Sequence, residues 1–302
     1  MAAALPREDT EALIPGVSPM VYSHKDFARI ADLIRREAGI VLSDRKRMLA
    51  YSRLAPLLRK SGLTTFNAYL DQVESDPAEA MRAIAALTTN HTYFNREPHH
   101  FDHFKDHVRD DLIARAEAGE AVRMWSAGCS SGEEVWTLIM VLLGHDKAAG
   151  KRLAARNIVT LASDLADHAI AAARAATYSA EALSAMPDHL RANWCEPASA
   201  DAAGHLGADA FTIAPVAQAM VRFRQLNLFA NWPFQSLFDV IFCRNVMIYF
   251  DAEAKEQLVL NLARQLRPGG YLYIGHSERV TGEAVRLLEP AGPTIYRRKE
   301  NR

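Results

Sequence analysis

The sequence predicts an α/β fold with a mainly parallel sheet covered on both faces, preceded by an all-α segment. Three observations carry this expectation. Between Ser23 and about Thr88 apolar residues recur only at helical spacing. From about Ala121 onward, short β-rich runs alternate with helical ones. The first of those runs ends in a turn holding Gly128 and Gly132. A length of 302 residues suits one large or two ordinary domains. Apolar residues at 49% and charged residues at 24% exclude disorder, collagen and coiled coil.

Residues 1–20, broken by Pro6, Pro15, Gly16 and Pro19, read as a flexible arm. The helical domain is expected over 21–88. Ser23 with Asp26 forms a capping pattern, followed by Phe27, Ile30, Ile34 and Ala38 and a stop at Gly39. Ser43 or Asp44 opens a second helix with Met48, Tyr51, Leu54 and Leu58 on its inner face. Pro56 falls inside that helix, where it removes a backbone bond and predicts a kink. Thr65 opens a third helix, with Phe66, Tyr69, Leu70 and Val73 inward. Asp76-Pro77-Ala-Glu79 starts a fourth.

In the second domain, 89–302, strands are expected over Val122–Ser126, Asn157–Ser163, Val221–Leu226 and Phe238–Cys243. Helices are expected over Val135–Leu143 and Ala252–Leu266. Arg267-Pro-Gly-Gly270 closes the latter before a strand from Tyr271 to Gly275. The polar stretch of about 178–220 fits neither pattern and reads as an insertion.

Charge narrows the function. The net charge of −1 argues against a protein that coats nucleic acid. Between Lys25 and Lys60, however, ten basic residues face four acidic ones. That stretch is either a solvated face or a docking surface for an acidic partner. Three widely spaced cysteines (Cys129, Cys195, Cys243) suggest neither a disulfide framework nor a zinc knuckle, and imply a reducing compartment. The start lacks the order of a signal peptide, and the apolar run Val135–Leu143 is half the length of a membrane span. His99, His103 and His107 would stack on one helix face with His100 beside them, but no carboxylate partner accompanies them and no metal is expected.

Ligands of such sheets bind at the carboxyl ends of the strands. There, Gly128 and Gly132 permit close backbone approach, while Glu133 and Glu134 disfavour phosphate and suit a cationic ligand. Asp164, at the tip of the second strand, is placed to accept from ribose hydroxyls. Together these point to a nucleoside carrying a positive group, S-adenosylmethionine, although many Rossmann-like folds share the spacing.

Four strings go further: Thr88-Thr-Asn-His-Thr-Tyr-Phe-Asn-Arg96-Glu97, Ser126-Ala-Gly-Cys-Ser-Ser-Gly-Glu-Glu134, Cys243-Arg-Asn245-Val-Met-Ile-Tyr249-Phe-Asp251 and Gly275-His-Ser-Glu278. In this order they resemble the chemotaxis-receptor glutamate O-methyltransferases of the CheR type, from about Tyr22 to Arg298. The resemblance implies a Rossmann-like class I S-adenosylmethionine-dependent methyltransferase domain with a small inserted antiparallel β subdomain. It implies cofactor contacts from Asn90, Thr92, Arg96, Glu133, Asp164, Asn227, Leu228, Asn245 and Val246, with S-adenosylhomocysteine as product. The basic helix would face the receptor through Arg45, Lys46, Arg53 and Arg59. The sequence departs from the family at Asn95, where an aromatic residue is common, and at Pro56.

The expected reaction is attack of a glutamate carboxylate on the sulfonium methyl. A carboxylate is ionised at neutral pH, so no general base is required. Arg96 and Tyr249 are expected to orient it. A salt bridge with Glu97 or a neighbour is the alternative role for Arg96, a core position the alternative for Tyr249, and His276 reads equally as a pocket residue or a satisfied polar residue ending a strand. The expected partners are chemoreceptor cytoplasmic domains, with no nucleic acid and no membrane insertion. The chain is expected to be a cytoplasmic monomer recruited to membrane receptor arrays. A catalytically silent cofactor-binding adaptor and a nucleic-acid methyltransferase are the competing readings.

Overall fold

The computed structural model describes residues 13–300. Of the arm expected over 1–20, residues 1–12 therefore lie outside the described residues, and 13–20 form bends and turns with Ile14 buried. The chain divides into two compact units. One runs to Thr89 and also takes Tyr249–Ala254; the other comprises Asn90–Ile248 and Lys255–Arg302.

The first unit is helical: α1 (His24–Ala38), α2 (Arg47–Lys60), α3 (Phe66–Ser75) and α4 (Pro77–Leu87). Its ends follow the sequence closely. Ser23 and Asp26 close a reciprocal capping box, and Gly39 ends α1 with a left-handed φ of 67°. Thr65 accepts from Ala68 N–H at 3.3 Å, and Asp76 from Ala78 N–H at 2.8 Å. Tyr22, Ile34, Phe66 and Tyr69 form the centre of its core. Helix α2 runs through Pro56 to Lys60. Met48, expected on its inner face, is 53% exposed. The buried row is Ala50, Leu54 and Leu58, and two residues rotate Met48 about 200° away from it.

The second unit opens with α5 (Pro98–His103), a π turn over Phe104–Val108 and α6 (Arg109–Glu117). Arg109 Nε donates to the Leu142 carbonyl at 2.8 Å. Strand and helix then alternate: β1 (Val122–Ala127), α7 (Glu133–Leu143), α8 (Lys147–Ala154), β2 (Ile158–Asp164) and α9 (Asp167–Ala175). The remaining strands are β3 (Thr177–Tyr178), β4 (Cys195–Pro197), β5 (Phe211–Ile213), β6 (Val221–Gln225), β7 (Phe238–Cys243), β8 (Leu266–Ile274), β9 (Leu288–Gly292) and β10 (Ile295–Arg298).

Seven strands form one sheet in the order β6-β2-β1-β7-β8-β10-β9. The first five are parallel, with Met124 beside both Thr160 and Val240; β10 and β9 add antiparallel pairs at one edge. The chain steps outward from β1 through β2 to β6 and returns on the other side with β7, so a switch point lies between β1 and β7. The stretch read as an insertion carries a separate antiparallel sheet, β3-β5-β4.

Strand β8 starts earlier than expected. Leu266 pairs with Phe238 and Tyr271 with Val240, so the Arg267–Gly270 stretch bulges from the ladder instead of preceding it. Gly269, at φ 78°, permits this excursion. Edge strand β9 escaped the sequence reading because Pro290 and Gly292 read as breakers, which an edge tolerates.

At the amino end of β7, buried Asp239 joins three elements. It accepts from Arg115 Nη1 at 2.6 Å and from Arg123 N–H at 2.7 Å, and forms an ion pair with the Arg267 guanidinium. Replacing Asp239 with Ala strands these donors. The expected loss is about 3 kcal/mol, read as a lower midpoint in chemical denaturation. The KM for cofactor should move little, because this end of the sheet is opposite the site described next.

Candidate functional site

At the carboxyl end of β1 the chain turns at Gly128, φ 84°. The N–H groups of Gly128 and Cys129 donate to the Ser163 carbonyl at 2.8 and 2.9 Å, tying the turn to the end of β2. A Cβ at Gly128 would lie 2.5 Å from Val246 Cγ2, so glycine is what lets the loop after β7 close against this turn. Ser130 N–H donates to Asp164 Oδ2 at 2.9 Å, and Ser130 Oγ to the Asn90 carbonyl at 2.8 Å. Asn90 Nδ2 (3.2 Å) and Ala166 N–H (2.9 Å) donate to Asp164 Oδ1. Asn90, Asp164, the glycine turn and Val246 are thus gathered at one place.

Glu133 lies in the first turn of α7, buried, and accepts from Ser131 Oγ at 2.7 Å; burial pushes its carboxyl above the usual range. Glu134 does not share that position. Its oxygens take Ser126 Oγ at 2.7 Å and Arg244 Nη1 at 3.2 Å. The pair of acids expected to meet a cationic ligand therefore reduces to Glu133. Thr92, Asn227 and Leu228 are half-buried, and Asn227 Oδ1 accepts from Phe229 N–H at 2.9 Å.

Behind these groups lies an ionic hub that sequence reasoning missed. Arg244, 2% exposed, pairs with Glu97 and Glu134 at 3.2 Å each, and donates to the Arg96 carbonyl. Glu97 Oε1 accepts from His276 Nδ1 at 2.8 Å and Asn245 Nδ2 at 3.2 Å. Burial opposes ionisation of Glu97. The hydrogen bonds from His276 and Asn245 and the Arg244 charge outweigh it, and the carboxyl falls to about 2. Buried Glu278 collects the N–H groups of Gly275 (2.6 Å), Met247 (2.8 Å) and Asn245 (3.2 Å). The available signal was three charged residues inside motifs at the ends of apolar strands, where each needs a partner.

Backbone strain concentrates here. Of six non-glycine residues with positive φ among the described residues, four (Asn95, Glu97, Ser130 and Asn245) belong to these loops, the clustering expected of functional sites. Asn95 holds φ 56°, donates its N–H to Thr137 Oγ1 at 3.1 Å and its amide to the Ala185 carbonyl at 3.3 Å. Asparagine tolerates that conformation better than an aromatic residue does.

Arg96 is half-buried. It donates to the His91 carbonyl at 3.0 Å and lies 5.7 Å from the Tyr93 ring centre. Its expected alternative partner, Glu97, is paired instead with Arg244 and hydrogen-bonded to His276. Tyr249 belongs to the helical unit, where its carbonyl accepts from Val41 N–H at 2.8 Å and its ring lies 5.1 Å from Lys46 Nζ.

The basic face of that unit is narrower than its sequence suggests. Arg29, Arg35 and Arg47 pair with acids of the same unit, and Arg53 donates to the Ala86 and Thr88 carbonyls at the end of α4. Arg53 therefore has an internal role. Arg36 pairs with Glu37, and Arg45, Arg59 and Lys60 are among the exposed cations. The histidines after Pro98 have separate roles: His103 bonds Tyr273 at 2.9 Å, and buried His100 bonds Thr294 at 2.8 Å. Among the described residues no group of three or more His, Cys, Asp or Glu could hold a metal ion.

The groups at the strand ends fit an adenosyl sulfonium. A carboxylate is available for hydroxyls, a second lies near the glycine turn, and no cation stands between Gly128 and Glu134 to attract a phosphate. Comparison with known proteins agrees. Residues 90–294 match the family described as CheR methyltransferase, SAM binding domain, and residues 25–88 match CheR methyltransferase, all-alpha domain. A probable chemotaxis protein methyltransferase of Rhizobium etli is 39% identical over 267 residues, covering 88% of this chain and 96% of the relative. The chemotaxis protein methyltransferase of Escherichia coli is 36% identical over 303 residues, covering 98% of each. That of Borreliella burgdorferi is 33% identical, covering 90% of this chain and 94% of the relative.

Two outcomes follow from this geometry. Gly128→Ala should destabilise by about 2 kcal/mol through overlap and positive φ. Adding Val246→Ala should restore part of that loss in denaturation measurements. Burial, then the Arg244 charge, holds His100 down to about 3, below its ordinary 6.5. Its stabilising contribution is therefore complete above pH 6.5 and is lost as pH falls toward 3. The thermal midpoint should decline across that window, and His100→Gln should flatten the decline.

Proposed function

The chain belongs to the CheR methyltransferase family, and on that premise we propose that it methylates glutamate side chains on chemoreceptor cytoplasmic domains. The activity at the level of the family is S-adenosylmethionine-dependent methylation in chemotaxis. The finer reading makes it a protein-glutamate O-methyltransferase whose products are glutamate 5-O-methyl esters and S-adenosylhomocysteine. What supports it is the acid-lined strand-end site beside a half-buried arginine, with no nucleophile or base constellation required by the chemistry.

S-adenosylmethionine, when bound, supplies an electrophilic methyl group on a sulfonium. Asp164 would hold its hydroxyls, with Glu133, Asn90, Thr92, Asn227, Leu228, Asn245 and Val246 around it. Arg96 would place the incoming carboxylate. Too tight a grip would stabilise the ground-state anion, so its role is placement and not activation. Anion and cation become two neutral products, and a dry site therefore favours the transition state. Arg45, Lys46 and Arg59 would meet an acidic receptor surface, raising encounter rate and selecting the partner's sign.

No helix of the described residues is long and apolar enough to cross a membrane. The proposed location, the cytoplasm at receptor arrays, follows from the proposed substrate, the receptors' cytoplasmic domains.

Labelled-methyl transfer to receptor cytoplasmic fragments tests the reading. Wild-type protein should give base-labile label on glutamate. Arg96→Ala should lower kcat by about tenfold or more with little change in cofactor KM. Arg45→Glu with Arg59→Glu should raise the KM for receptor and leave cofactor KM unchanged. Tight S-adenosylhomocysteine binding without transfer to any fragment would favour the adaptor, and transfer to RNA alone would overturn the substrate class.

A further inference from the structure

The loop after β7 leaves Asn245 unusually constrained. Its φ is 59°, a conformation that must be held by its surroundings. Its main-chain N–H is fixed by Glu278, which also binds the neighbouring Met247 and Gly275. Its side chain lies across Gly275, where a Cβ would fall 2.5 Å from Asn245 Nδ2. That nitrogen then donates to Glu97 Oε1 at 3.2 Å.

The direction of this amide follows from chemistry. An ionised carboxylate only accepts hydrogen bonds, so the NH2 end of Asn245 must face Glu97. Glu97 cannot turn away. Its Oε1 also takes the N–H and Nδ1 of His276 at 3.3 and 2.8 Å, and its Oε2 faces Arg244 Nη2 at 3.2 Å. Its own backbone is left-handed at φ 56°, and its side chain is 11% exposed. The opposite end of the Asn245 amide, Oδ1, is therefore presented in one orientation.

We propose that Glu97 is a positioning residue for methyl transfer: by holding the Asn245 amide nitrogen it presents Asn245 Oδ1 as an acceptor to the cofactor. The part of the cofactor that Asn245 meets is then a hydrogen-bond donor, an amino or hydroxyl group, and not its carboxylate. This inference rests on the reading that Asn245 contacts the cofactor.

A double-mutant cycle on the full chain tests it, with S-adenosylhomocysteine as the probe and calorimetric Kd as the readout. Glu97→Gln should weaken binding about tenfold when Asn245 is present. In an Asn245→Ala background the same change should cost less than about twofold. Equal factors in the two backgrounds, alongside a lowered thermal midpoint, would show a merely structural role and overturn the inference. If Glu97→Gln does not fold, Glu97→Asp enters the same cycle under the same criteria, since it keeps the charge against Arg244 but withdraws the carboxylate from Asn245. A wild-type chain that binds no S-adenosylhomocysteine would remove the cofactor reading and the inference with it. A wild-type chain that binds, with an additive cycle, removes only the role given to Glu97.

Discussion

The guanidinium of Arg244 allows two carboxylates, Glu97 and Glu134, to exist at the carboxyl ends of apolar strands. Either acid alone would be a buried charge, and breaking such a pair by removing one member typically costs about 3–5 kcal/mol. The same guanidinium grips the Arg96 carbonyl, so the segment from Asn90 to Glu97 is moored to the loop after β7. Arg96, Asn245 and the start of α7 therefore share one anchor. The placement of a substrate carboxylate and the placement of cofactor groups are not independent variables in this unit.

That anchoring divides the labour of the sheet. At the amino ends, Asp239 ties strands and helix together through charge-assisted hydrogen bonds from Arg115 and Arg123 and an ion pair with Arg267. At the carboxyl ends the loops carry left-handed residues and buried acids, an expense in stability that the ladders below must offset. The functional end is strained and the opposite end is cross-braced.

The helical unit was legible from short-range rules because its stops and starts are made by local side chains: Ser23, Gly39, Thr65 and Asp76 act within one turn. The parallel strands were legible from apolar runs, and the glycine turn and Asp164 from their spacing. What the sequence could not display was partnership across the fold. Arg53 looked like surface charge until the carbonyls of Ala86 and Thr88 were seen to lie beneath it. Glu134 looked like half of a ligand-facing pair until Arg244, 110 residues later, claimed it. Met48 was misplaced because its spacing of three from Tyr51 imitates a helix face, while the buried row of Leu54 and Leu58 continues back to Ala50 instead. Glu97 and Glu278 stood inside recognised strings, yet their hydrogen bonds depend on loop conformations that only the assembled strand ends create.

The π turn over Phe104–Val108 has an implication for sequence length. One extra residue per turn puts α5 and α6 out of helical phase, so that His103 reaches Tyr273 while Arg109 reaches the Leu142 carbonyl. Deleting a single residue there would restore a regular spiral but swing one half about 100° relative to the other, and only one of the two contacts would survive. Descendants of this chain can exchange residues in that turn more readily than they can shorten it.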